Sequence, residues 1–427
     1  MVRIFKFGGA SVRDAGGVRN AAEIMLRQGS PNNLAVVISA MGKTTNALEV
    51  LFEKAREGSD YREEFEALRQ SHLLIAADLF GSGEAESFEA LSRYFTRLEF
   101  QLLHSKGIDY DMGYDQVVPF GEYLSTLIVY LYMKKKGVQV FLQNARFLIS
   151  TDMTWREGRV DMDETGRLIR KELEPLLKTG IVITQGFIGG TKSGNLTTLG
   201  REGSDYTAAL LGHFLNAESV TIWKDVPGVL NADPKWLQGA VLLPRLSYHD
   251  AAELTYYGAT VIHPKTIRPL AQKEIPLRVR SFLDPDKEGT RIGPEMVSWN
   301  DPAFIRKENQ TLISFTSKDF SFMAEENISE ILHAFSQENL KIHMLQVSAL
   351  SISVVTELKQ DVLARIVSHM KNHYSVLYNE NLTLYTIKNY TPWAMEMMVK
   401  NKSVILDQRS RNTCQILVKS EADTAAD

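Results

Sequence analysis

A single cysteine, Cys414, stands in 427 residues, so no internal disulfide can form, which fits a reducing compartment. A basic excess is missing too. The 48 Lys and Arg against 52 Asp and Glu leave a net charge of -4 and a pI near 6.2, which excludes an electrostatic footprint for nucleic acid. The amino terminus enters a strand pattern at once, with no long apolar segment and no small-residue cleavage site, so a cytoplasmic protein with no membrane partner is expected. Three familiar signatures are also lacking. Met41-Gly42-Lys43-Thr44-Thr45 resembles the end of a phosphate loop, but Val37 stands where G-x-x-x-x-G-K-[ST] needs its first glycine. Gly81-Ser82-Gly83 is followed by Glu86 where a dinucleotide fingerprint needs its third glycine. His249, Asp250 and Glu253 follow no metal-ligand spacing and read as a helix amino terminus, so no protein metal site is expected.

What is present is a chain long enough for roughly two to four domains, with the 44% hydrophobic and 23% charged residues of a soluble globular protein. Up to about residue 295, apolar runs (Val2–Phe7, Leu34–Ser39, Val138–Leu142, Gly180–Gln185, Ser219–Trp223, Ile275–Val279) alternate with helical stretches. That alternation predicts an α/β fold with a mostly parallel sheet covered on both faces. Residues 60–106 read as a charged helical insertion, and the polar, Pro- and Gly-rich stretch Asp284–Pro302 as a domain boundary. Beyond it the rhythm is that of an α+β, ferredoxin-like unit: Thr311–Thr316, then a helix with Ile328, Ile331, Leu332 and Phe335 in register and Asn327 and Glu330 as its capping pair, then Ile342–Ser348, Ser351–Thr356, and a helix with Leu363, Ile366, Val367 and Met370. A second pass (Leu382–Ile387, Trp393–Lys400, Ser403–Leu406, Cys414–Val418) stops at the polar tail 419–427. It is expected to borrow a segment from elsewhere in the chain.

Chemistry gathers at the strand ends. Lys6-Phe7-Gly8-Gly9 delivers a lysine and then a glycine turn whose free N–H groups suit a phosphate. Ser39-Ala40-Met41-Gly42, with Thr44, Thr45 and Asn46 behind it, ends the second strand at the edge where open α/β sheets bind ligands. Pro119-Phe120-Gly121-Glu122 and Gly200-Arg201-Glu202-Gly203-Ser204-Asp205 each set a charged group beside glycine at a helix start. Trp223-Lys224-Asp225-Val226-Pro227-Gly228 closes a strand with a turn carrying a cation and an anion.

These motifs, in this order, resemble the aspartate kinase family, and the tail resembles that family's paired regulatory ACT modules. The resemblance implies a three-layer αβα amino-acid kinase fold with a catalytic domain over 1–295, tandem ACT-like modules over 300–427 with the second incomplete, and ATP-dependent phosphorylation of the β-carboxylate of L-aspartate. The nucleophile is a carboxylate already ionised at neutral pH, so the reaction needs positioning and charge stabilisation rather than a general base. In that frame Lys6 with the amides of Gly8 and Gly9 neutralises the transferring phosphoryl group, and the resemblance gives Asp205 the task of orienting Lys6. Glu122 and Arg201 supply the acid and base that an amino acid's ammonium and carboxylate require. Ser39 and Thr45 match further substrate contacts, while Lys224, Asp225, Gly228 and Asp233 match the nucleotide side. Magnesium is expected to be held mainly by the phosphates. The ACT resemblance implies a homodimer or larger homo-oligomer and feedback by lysine or threonine, with Ser317, Asp319, Val347 and Ser348 as effector contacts.

Three positions depart from the family pattern: Glu202 replaces a glycine, Leu230 a tyrosine near the adenine, and Thr260 a lysine that Lys224 is placed to replace. No dehydrogenase segment follows, which favours the monofunctional form. The alternatives are a kinase of another acidic amino acid or carbamate, and a catalytically weak amino-acid sensor.

Overall fold

The structure, a computed structural model, describes residues 1–29, 31–81, 84–258, 262–294, 299–319 and 321–420. Ser82 and Gly83 of the rejected dinucleotide signature, the departure at Thr260, and the tail beyond residue 420 lie outside the described residues. By its contacts the chain forms two compact units, one of Met1–Val229, Leu242–Ala252 and Thr260–Val297, the other of Leu230–Val241, Glu253–Ala259 and Ser298–Asp427.

The first unit is built on an eight-stranded sheet in the order Val140–Gln143, Ile181–Gln185, Leu34–Ile38, Arg3–Phe7, Ser219–Lys224, Leu277–Ser281, Thr290–Gly293, Arg245–Ser247. The first six strands are parallel. Leu34–Ile38 and Ile181–Gln185 are buried at every residue, which is why they read as continuous apolar runs instead of alternating ones. Two strands begin later than their apolar runs. The N–H groups of Val138 and Ile275 are bonded back to Met133 and Leu270, finishing the preceding helices, so pairing starts at Val140 and Leu277.

The boundary stretch also needs correcting. It contains Thr290–Gly293, a strand antiparallel to Leu277–Ser281 on one side and parallel to Arg245–Ser247 on the other, and the buried Thr290 hydroxyl donates to the Leu243 carbonyl and accepts from the Val229 N–H. The charged block 60–106 forms two helices, Arg62–Phe80 and Ala85–Leu103. Leu68, His72, Ala76 and Leu79 of the first, with Leu91, Phe95, Leu98 and Leu102 of the second, are their buried faces.

The second unit carries a six-stranded antiparallel sheet in the order Ile342–Val347, Ser351–Thr356, Ala303–Ser317, Tyr374–Lys388, Thr413–Ser420, Lys402–Arg409. Its two central strands are fifteen residues each and pair along their whole length, with register shifts around Gln310. The expected short strands Thr311–Thr316 and Leu382–Ile387 are therefore halves of longer ones, and each long strand serves two ferredoxin-like modules. In the first module, Phe315, Ile331, Phe335, Ile352, Leu363 and Tyr374 form the core. Its helix runs Glu325–Gln337, so Asn327 is in the first turn, where its side chain accepts from the Ala324 N–H. Glu330 is not a cap: it takes the Tyr374 hydroxyl at 2.7 Å and lies 3.0 Å from His373 Nδ1.

Among the described residues the second module has a single helix, Pro392–Val399. Two segments complete it. Ala303–Lys307 pairs with Leu384–Lys388, and Trp236, Leu237 and Ala240, from far earlier in the chain, pack against the core of Tyr385, Ile387, Cys414 and Ile416.

Candidate active site

Parallel pairing places the carboxyl ends of neighbouring strands along one edge. Lys6 pairs with Val37 and Ile222, and Phe7 with Ile38 and Trp223, so Gly8, Ser39 and Lys224 leave adjacent strands at the same level, with Lys6 two residues inside it on the central strand. A cavity of about 820 Å³ opens there, lined among others by Lys6, Gly9, Ser39, Thr45, Glu122, Arg201, Asp205 and Lys224. Gly9 lets two loops close on each other. The Gly42 N–H donates to its carbonyl at 3.0 Å, and a Cβ at Gly9 would sit 2.7 Å from the Ala40 carbonyl oxygen.

The charged floor of the cavity is set by Asp205, in the first turn of the helix Gly203–Phe214. Lys6 Nζ lies 2.6 Å from its Oδ1 and Lys224 Nζ 3.6 Å from its Oδ2. Burial opposes ionisation of Asp205, but the two ammonium groups overcome it and hold the carboxyl below its ordinary range. Glu202, the residue just before this helix, adopts a left-handed backbone with φ of 54°. Its carboxyl is raised, by burial first and against the pull of Lys224.

Glu122 belongs to the first turn of Phe120–Lys135, a helix buried nearly all round. Its Oε1 accepts the Ala40 N–H at 3.2 Å, and Ser125 Oγ donates to the Ser39 carbonyl at 2.7 Å, so the helix and the Ser39–Gly42 turn are locked together. Its other oxygen, Oε2, is buried and has no hydrogen-bond partner among the described residues. Desolvation pushes this carboxyl up to about 8. A buried acceptor left open in a cavity is a socket for a cation.

Arg201, in contrast, is exposed and lines the same cavity. Of the remaining expected residues, Gly8, Asp225, Gly228 and Asp233 do not line this cavity. Gly228 is closely packed, since a Cβ there would come within 2.5 Å of Thr290 Oγ1. Asp233 belongs to the second unit, where its carboxylate accepts the Lys235 N–H at 2.9 Å. Leu230 likewise lies in the second unit. There, the effector candidates come together: the Ser317 and Met323 N–H groups donate to the carbonyls of Leu350 and Ala349, joining the 317–323 loop to the turn after Val347 and Ser348. Asp319 already accepts from Ser317 and Ser321, and Ser317 first among them holds its carboxyl below the ordinary range.

A model of the amino acid kinase family matches residues 1–281. The lysine-sensitive aspartokinase 3 of Escherichia coli K12 is 32% identical over 360 residues, covering 83% of this chain and 78% of that one. The chain belongs to the aspartokinase family. The solved structure of E. coli aspartokinase III with aspartate and ADP, described as its R-state, superimposes with a TM-score of 0.83 at 26% identity and covers all of this chain and 98% of its own. The T-state structure of the same protein, with lysine and aspartate, gives 0.80 at 27%, covering 98% and 96%. The fold is thus the aspartokinase arrangement, a three-layer kinase sheet with ACT modules.

Sequence reading missed one part of the wall. Asp111, Tyr114, Trp155, Arg156, Glu157 and Phe187 also line the cavity. The polar turn Trp155–Gly158 carries no motif, and only its concentration of aromatic and charged side chains ahead of a glycine marks it in the sequence.

Proposed function

We propose that the chain transfers the γ-phosphoryl group of ATP to the β-carboxylate of L-aspartate, giving 4-phospho-L-aspartate, the first step towards lysine, threonine and methionine. The observation that carries this is an open, buried Glu122 oxygen and an exposed Arg201 lining one cavity together with the Lys6–Asp205 ion pair. An α-ammonium fits the first, an α-carboxylate the second, and the side-chain carboxylate then points to the lysine.

Lys6 is the group that meets developing phosphoryl charge, assisted by the amides of Gly8 and Gly9, and Asp205 keeps its ammonium in place. Ser39 and Thr45 serve the substrate side. Lys224 and the turn through Asp225 and Gly228 serve the nucleotide. Asp205 fits a magnesium ion poorly as a ligand, since it is held by two ammonium groups, so the ion is carried chiefly by the phosphates.

The ACT modules are the regulatory region, lysine is the effector, and the assembly is a homodimer formed through residues 300–427. The lysine sensitivity of the E. coli relative supports that choice over threonine.

The test is ADP release coupled to a reporter enzyme, with L-aspartate, L-glutamate and no amino acid, each with and without lysine. Turnover only with L-aspartate is expected. Equal or greater turnover with glutamate would replace the substrate assignment, and none with any amino acid would leave the sensor reading in its place.

A further inference from the structure

The turn that carries Arg156 is held in place more firmly than a surface loop requires. Arg156 has a left-handed backbone, φ 63°, which costs an arginine free energy unless its surroundings impose it. They do so through Asp115, which is fully buried. One of its oxygens accepts the Arg156 N–H at 2.9 Å and the Thr198 N–H at 3.1 Å, and the other accepts the Thr198 hydroxyl at 2.7 Å. The Gly158 N–H donates to the Thr198 carbonyl at 2.8 Å, and a Cβ on Gly200 would lie 3.2 Å from the Arg156 carbonyl oxygen. The backbone of Arg156 is thereby clamped to the strand end that leads, within three residues, to Arg201.

Its side chain is aimed as well. The guanidinium lies over the Tyr114 ring, 4.5 Å from the centroid, and over Tyr110 at 5.5 Å, which fixes its plane by cation–π contact. Among the described residues a single long contact of the guanidinium, 3.4 Å to the exposed Asp111, uses one of its five donors, and the residue lines the same cavity as Glu122 and Arg201. A strained, clamped arginine with most donors unspent on the wall of an amino-acid site is arranged to receive an anion.

We propose that Arg156 is a second guanidinium for the α-carboxylate of the substrate, acting beside Arg201, with Asp115 as the residue that positions both. This rests on the aspartate reading of the site. The two arginines differ in what they contribute: Arg201 is exposed, whereas Arg156 is held in advance and loses little side-chain freedom when the ligand arrives.

The test uses β-alanine, which keeps the ammonium and the reacting carboxylate of aspartate and lacks the α-carboxylate. Arg156→Gly removes the guanidinium and suits the left-handed backbone, and Arg156→Lys keeps the charge without the fork. The KM for L-aspartate, the inhibition constant of β-alanine against it, and the KM for ATP are measured for wild type and both variants. With Arg156→Gly the aspartate KM should rise on the order of tenfold to a hundredfold, that of ATP should hold, and β-alanine should bind as before; Arg156→Lys should fall between. A parallel loss of β-alanine and aspartate binding, or an unchanged aspartate KM, would overturn the proposal. A wild type inactive with aspartate would instead remove the reading beneath it.

Discussion

Lys6 Nζ lies 2.6 Å from Asp205 Oδ1, with 9% and 2% of the two side chains exposed. The pair joins residues 199 positions apart by number (205 − 6), and it holds a cation at the end of the central strand, where phosphoryl charge has to be met. An ion pair so buried is not retained for stability alone, because desolving two charges offsets most of their attraction.

Lys6→Met should therefore have two separable effects. Turnover should drop on the order of 10² to 10³, and stability should drop by up to about 3–5 kcal/mol, less whatever Lys224 restores, because Asp205 is left short of a partner. Adding Asp205→Asn should recover most of the stability and none of the activity. Denaturant melts alongside initial rates decide it: a double variant that regained turnover would take Lys6 out of the chemistry.

Glu122 should make aspartate binding pH-dependent. With burial raising its carboxyl from 4.5 to about 8, the group is protonated in the empty site at neutral pH, while a bound ammonium demands the anion. Aspartate binding should release a proton, and its KM should fall by about tenfold per unit as pH rises from 6 towards 7.5. Glu122→Gln should bind weakly and without that slope. Stability moves the opposite way. Since the folded-state value is the raised one, the group's contribution is complete below about pH 4.5 and is lost as pH rises through about 8, so Glu122→Gln should gain on wild type between about pH 4.5 and 8. Aspartate KM profiles and chemical melts across that range check both signs.

Gly186 follows the strand Ile181–Gln185, and a Cβ there would lie 2.4 Å from Ser204 Cβ and 2.7 Å from Ser204 Cα. Gly186→Ala must push on the turn that carries Asp205. We expect a modest loss of stability, roughly 1–3 kcal/mol, together with a disproportionate loss of kcat, up to about 10² for a displacement near 1 Å. A variant with native kcat and lowered Tm would mean that the helix start tolerates the shift.

Lysine inhibition should be reciprocal. An effector that favours one state of the kinase over the other must bind less well when aspartate favours the alternative state. Calorimetric titration of lysine should weaken when aspartate is added, by the same factor by which lysine weakens aspartate, and Ser348→Ala should raise the lysine concentration giving half inhibition. Absence of heat from lysine, with full activity in its presence, would remove the regulatory assignment.

The residues of the site were legible in the sequence wherever a strand end carried them. Alternating strands and helices force parallel pairing, and parallel pairing brings the ends after Phe7, Ile38 and Trp223 to one edge, so Lys6, Ser39 and Lys224 could be grouped before any coordinate was known. Glu122 and Asp205 could be placed at helix starts for the same reason. The open state of Glu122 Oε2, the second cation on Asp205, and the clamp on Arg156 were not legible, because each depends on groups distant in the chain: Ala40 for Glu122, Lys224 for Asp205, Thr198 and Asp115 for Arg156. Likewise, periodicity marked the strands of the carboxyl-terminal half but not their length. Local pattern reports which face of a segment is apolar, whereas pairing across fifteen residues on Ala303–Ser317 and the packing of Trp236 against Tyr385 are settled only when distant segments compete for the same buried surface.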